Sequence, residues 1–204
     1  MSSYSVAGKI LRRMRASSGA VFSAKDFLDL GNRDAIDQAL ARVTRQGKIR
    51  RVGRGLYDVP KKGILVAVRA PSTDAIANAV ARKSSARIAP TGARAANSLG
   101  LSTQVPAQAR YITDRSPKTV RVGTQVIHFS QVAPRRLAGA NASRTVIEAL
   151  RHVGSDEITA ADIDRIRESL SLEDKRALRA DLRHAPDWMQ PLLKSIIDDA
   201  RIAD

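Results

Sequence analysis

The chain has 204 residues, 43% of them apolar, with 35 Lys and Arg against 20 Asp and Glu for a formal net charge of +15. That length and apolar fraction allow one or two domains with true cores, and so basic a balance favours a polyanionic partner, nucleic acid or an acidic protein surface. Without cysteine there are no disulfides, zinc ribbons or thiol chemistry; no run approaches the ~18 apolar residues of a membrane span, and no secretory leader opens the chain, so a soluble, cytoplasmic protein is expected.

The charge is uneven. Residues 1–60 carry 12 Lys and Arg against 5 Asp and Glu, a net +7, and residues 61–140 carry 13 against 2, a net +11. Residues 141–204 reverse the sign, with 10 against 13. The basic surface therefore belongs to the first two-thirds.

The first helix is expected over Ser5 to Ser17, with Val6, Ile10, Leu11 and Met14 recurring at three- and four-residue spacing. Lys9, Arg12, Arg13 and Arg15 fall off that stripe, either as a solvated face or as contacts to backbone phosphate. Ala20-Val21-Phe22 suits a short strand. Ser23 and Asp26 then spell a capping pattern ahead of Phe27 and Leu28, and Leu30-Gly31 turns the chain.

Asn32 is placed to cap a second helix running to Gln46, whose inner face is Ile36, Ala39, Leu40 and Val43. Its outer face presents Arg33, Asp34, Gln38, Arg42 and Arg45. Arg pairs with guanine and Gln with adenine in a major groove, although any surface helix is polar outside. Gly47 ends the helix, and Lys48 to Val59 form a hairpin around Gly53-Arg54-Gly55, whose glycines permit positive φ. Arg50 and Arg51 on one strand and Arg54 at the tip put cations where a wing meets phosphate or a minor groove. Residues 19–60 thus read as a winged helix-turn-helix, with Asn32, Arg33, Asp34, Gln38, Arg42, Arg45, Arg50, Arg51 and Arg54 as candidate DNA contacts.

Domains are expected at 1–60 and 61–204, the second with an α+β part at 61–140 and a helical part at 141–204. After a Lys61-Lys62-Gly63 linker, Ile64–Val68 reads as a strand and Ser72 caps a helix to about Lys83 with Ile76 and Val80 inward. A short helix opens at Pro90-Thr91-Gly92 and stops at Gly100. Strands follow at Ala109–Thr113, Thr119–Val122 and Gln125–Phe129, the last two joined by Gly123-Thr124. Arg87, Arg94, Arg110, Arg115, Lys118 and Arg121 decorate this part.

From Ala142 the pattern is helical, with a Val146-Ile147-Leu150 stripe and capping signatures at Thr159–Asp162 and Ser171–Asp174. Pro186 suits the first turn of a last helix holding Trp188, Leu192 and Ile196, the tryptophan in the core. The overall class is α+β.

No catalytic set emerges. His128, His152 and His184 are scattered, and neither a nucleophile elbow nor a phosphate loop is present. Asp156-Glu157 and Asp198-Asp199 suit solvated surface. Neither an enzyme nor a cofactor nor a metal is expected.

Three runs, Val21–Phe27, Ala35–Leu40 and Gly47–Tyr57, resemble the winged-helix domain of AbiEi-type antitoxins. Ile88–Gly92, Ala95–Pro106 and Tyr111–Asp114 resemble that family's second domain, so the likeness covers about residues 5 to 155. It implies a bacterial type IV antitoxin whose N-terminal domain represses its own operon at inverted repeats in double-stranded DNA, two copies occupying one repeat. It further implies that the C-terminal domain counters a nucleotidyltransferase-like toxin, with or without direct contact. The residues alone also suit a stand-alone winged-helix regulator whose C-terminal part binds an effector or dimerises.

Overall fold

The first helix, α1 (Val6–Ala16), starts where the Ser5 hydroxyl accepts the Gly8 amide at 3.2 Å. The computed structural model in which this is seen describes residues 5–60, 70–104, 106 and 108–198. Helix α1 buries Ala7, Ile10, Leu11 and Met14. Strand β1 (Val21–Phe22) and a 3-10 turn at Ala24–Leu30 follow, the turn opened by Ser23, whose amide donates to Asp26 Oδ2 at 2.7 Å. Helix α2 (Arg33–Arg45) buries Ile36, Ala39, Leu40 and Val43, of which the three larger side chains contribute roughly 2 kcal/mol each of apolar burial. Phe22, Phe27 and Ile49 complete this core.

Strands β2 (Arg50–Gly53) and β3 (Leu56–Asp58) form an antiparallel hairpin, and β1 pairs with β3 on the far side, giving the order β1-β3-β2. Helix α1, the 3-10 turn, helix α2 and a three-stranded sheet ending in a hairpin make up the winged helix-turn-helix that the spacing implies.

The chain divides into two compact units, one of residues 1–86 with 120–127 and one of residues 87–119 with 128–204. The expected boundary at residue 60 is therefore displaced. Helix α3 (Thr73–Lys83), capped by the Ser72 hydroxyl on the Ala75 amide at 3.2 Å, belongs to the first unit. Its Arg82 donates to Asp26 Oδ1 at 2.8 Å and to the Val21 carbonyl at 2.7 Å. Besides Ile76 and Val80, it buries Ala77, Ala79 and Ala81, small side chains that let its backbone approach closely. The expected strand at Ile64–Val68 and the preceding linker lie outside the described residues.

The second unit begins with β4 (Ile88–Pro90), a three-residue strand that the sequence pattern hides, and α4 (Gly92–Ser98). Strands β5 (Ala109–Thr113), β6 (Lys118–Val122) and β7 (Gln125–Gln131) complete a sheet of order β4-β5-β7-β6, with the Gly123-Thr124 turn where expected. The turn end of that last hairpin is the 120–127 segment grouped with the first unit.

Helices α5 (Asn141–Val153), α6 (Ala160–Ser169), α7 (Leu172–Asp181) and α8 (Gln190–Ile197) follow. Val146, Leu150, Ile166, Leu178, Leu193 and Ile196 form their shared core. Both capping signatures are present, Thr159 with Asp162 and Ser171 with Asp174.

The end of the chain departs from expectation. A 3-10 turn at Asp187–Met189 precedes α8, so Pro186 stands before that turn and Pro191 occupies the first turn of the helix. The tighter turn rotates Met189 inward and leaves Trp188 41% exposed, not in the core.

Candidate nucleic-acid interface

The outer face of α2 is set by its cap. Asn32 Oδ1 accepts the Ala35 amide at 2.9 Å, so this residue anchors the helix start, and Asp34 lies exposed in the first turn, where a carboxylate complements the helix dipole. Arg33 turns along the helix to Asp37 at 2.7 Å, and that hydrogen bond raises its pKa. The face beyond is different. Gln38, Arg42 and Arg45 recur at four- and three-residue intervals, are exposed, and make no side-chain hydrogen bond or ion pair among the described residues. They edge a groove of about 560 Å3 floored by Val6, Ala35 and Ala39.

The wing is built from a tight turn with one irregularity. Gly53 pairs with Leu56, leaving Arg54-Gly55 as the connection, and only Gly55 uses positive φ, at +68°. A Cβ at Gly55 would come within 2.9 Å of Lys83 Nζ, which donates to the Arg54 carbonyl at 2.9 Å. The Arg54 side chain is exposed and unpartnered among the described residues. Arg51 is exposed as well, with Nε 3.3 Å from the Gly53 carbonyl.

Arg50 has another task. It makes two 2.7 Å hydrogen bonds to Asp58, a side chain 6% exposed, and these bonds raise the guanidinium's pKa. Arg50 is thus held in the hairpin and Asn32 in a cap, and the residues brought together with open donors are Gln38, Arg42, Arg45, Arg51 and Arg54. Lys83 joins the wing from α3, which lies beyond the boundary expected at residue 60. Val122 Cγ2 would meet a Gly53 Cβ at 3.2 Å, bringing the strand that carries exposed Arg121 to the hairpin.

Arg13 of α1 is likewise structural. It clamps Asp29 at 2.7 and 2.6 Å, donates to the Asp26 carbonyl at 2.8 Å, and holds the Asp29 carboxyl below the usual carboxylate range. Lys9, Arg12 and Arg15 on the same helix are exposed.

Several basic groups of the second unit are also engaged. Arg87 pairs with Asp114 at 3.0 Å, Arg94 and Lys118 lie 5.4 Å from the Tyr111 and Phe129 ring centres, and Arg110 reaches Gln108 at 3.0 Å. His128 Nδ1 stands 3.1 Å from Thr119 Oγ1. Among the described residues no cluster of His, Asp and Glu is arranged to hold a metal, and no helix is long and apolar enough to cross a membrane.

A model of a family of unknown function, DUF6088, matches residues 9–178. The chain belongs to this family. Its match spans both compact units, so the winged helix and the α+β unit are one family architecture. No curated protein and no solved structure matches the chain.

Proposed function

We propose that the chain binds double-stranded DNA through α2 and the wing, and that it represses its own operon as the antitoxin of a type IV toxin–antitoxin system. The observation that carries the DNA reading is the Gln38–Arg42–Arg45 stripe. Three donors on one exposed helix face, with Arg54 on the adjoining hairpin, remain available to an outside acceptor. A helix with such a face suits base edges in a major groove, and the hairpin suits the neighbouring phosphates. The antitoxin part rests on the two-segment likeness to AbiEi-type proteins. It makes the cognate partner a nucleotidyltransferase-like toxin and the cytoplasm the place of action.

A gel shift with the promoter of its own gene tests the first part. The Q38A/R42A/R54A variant should lose the shift; normal binding by that variant would remove this face from the reading. Co-expression with the adjacent reading frame tests the second part. Growth should be arrested by the neighbour alone and restored by the full chain. A protein that represses the promoter but leaves the arrest intact is a plain regulator.

A further inference from the structure

The second unit holds a cleft of about 600 Å3 whose walls carry four guanidinium groups, a volume in the range of small-ligand sites. Arg135 and Arg136 come from a 3-10 turn at Pro134–Leu137, Arg151 from the last turn of α5, and Arg183 with His184 from a 3-10 turn at Leu182–His184. Val132, Ala185 and Pro186 supply an apolar floor.

One carboxylate stands against these four cations. Glu148, 2% exposed, takes two hydrogen bonds from Arg136 at 2.7 and 2.6 Å and lies 3.6 Å from Arg151 Nε. It orients Arg136 and draws on Arg151 by charge alone, without balancing the set. Arg135 has no side-chain hydrogen bond or ion pair among the described residues, and the side chain of Arg183 meets only His184, at 3.5 Å. Four cations on three elements, one fixed by two hydrogen bonds to a buried acid and a second close to that acid, form a receptor for an oxyanion with several charged oxygens. The apolar floor suits the uncharged remainder of such a ligand.

We infer that this cleft binds a small molecule bearing a di- or triphosphate, of nucleotide size. The inference is independent of the winged helix, whose residues lie in the other unit.

Calorimetric titration of the full chain at low ionic strength tests it, using ATP, inorganic pyrophosphate, adenosine and a short single-stranded oligonucleotide. ATP should saturate at one per chain, pyrophosphate should compete with it, and adenosine should give no signal. The R135A/R183A variant removes two exposed side chains that support nothing buried, and it should bind ATP roughly tenfold more weakly or worse. The R42A/R54A variant should bind ATP as the parent does. The proposal is overturned if ATP and pyrophosphate fail to saturate, or if R135A/R183A retains the parent's affinity. It is also overturned if R42A/R54A loses ATP binding, or if the oligonucleotide alone depends on Arg135 and Arg183.

Discussion

Arg50 and Asp58 meet across the β2–β3 hairpin through two parallel guanidinium–carboxylate hydrogen bonds, each 2.7 Å, with the Asp58 side chain 6% exposed. Removing the arginine strands a buried acceptor, which costs about 1–3 kcal/mol. Arg50→Ala should therefore lower the urea midpoint. Arg51→Ala, one position along and exposed, should leave it within about 0.5 kcal/mol of the parent. Equal midpoints for the two variants would mean that the pair adds nothing to the hairpin.

On DNA the two classes of contact should separate. Gln38→Ala and Arg42→Ala are expected to reduce preference for the operator over random duplex by roughly 1–3 kcal/mol each. Arg54→Ala should weaken both duplexes alike and lower the salt slope by about 1. Fluorescence anisotropy at several salt concentrations reads both quantities, and an Arg54 variant that loses only operator preference would reverse the roles.

The acid limb of stability should report Asp162. Its carboxylate accepts from the Thr159 hydroxyl at 2.7 Å and the Thr159 amide at 3.1 Å, and these bonds lower its pKa. A depressed folded pKa contributes stability above the unfolded value of about 3.9, lost as pH falls through the folded value. Asp162→Asn should therefore cost about 1 kcal/mol at neutral pH, and the gap should close in acid. Denaturation curves at both ends of the range check it; a gap that widens in acid would contradict the assignment.

Gly139 is held against a buried acid. Its φ is +82°, and a Cβ there would lie 2.5 Å from Asp181 Oδ2, the atom that accepts the Ala140 amide at 2.7 Å. Gly139→Ala combines backbone strain with crowding and should lower the melting temperature by roughly 5 °C or more. Adding Asp181→Ala should cost less in that background than in the parent, because removing the carboxylate relieves the crowding that the new Cβ creates. Strict additivity in a thermal-melt cycle would argue against the contact.

The helical skeleton was readable in the sequence because its signals are local. The Ile36-Ala39-Leu40-Val43 stripe and the Asn32 cap lie within one element, so spacing alone locates them. The pairing of Arg50 with Asp58 is invisible in the sequence for a non-local reason. With regular pairing back from Gly53 and Leu56, Arg51 would face Asp58; the irregularity between Arg51 and Gly53 shifts the register and gives Asp58 to Arg50. A Lys-Gly linker ahead of helix α3 points to the second domain, whereas Arg82 reaches Asp26 and Val21, more than fifty residues earlier, and ties the helix to the first unit. A continuous α-helical period would carry Trp188 into the core, but the tighter turn at Asp187–Met189 breaks that period.

The grouping of residues 120–127 with the first unit also bears on how the protein is made. Synthesis proceeds from the N-terminus, so the winged helix reaches its full set of neighbours only after Ile127 has left the ribosome, when part of the second unit has already emerged. A nascent chain or a degradation product ending before that point carries every candidate DNA contact on α2 and the wing yet lacks a segment of the body that supports them. Whatever the first unit does is thereby tied to synthesis of the chain through Ile127.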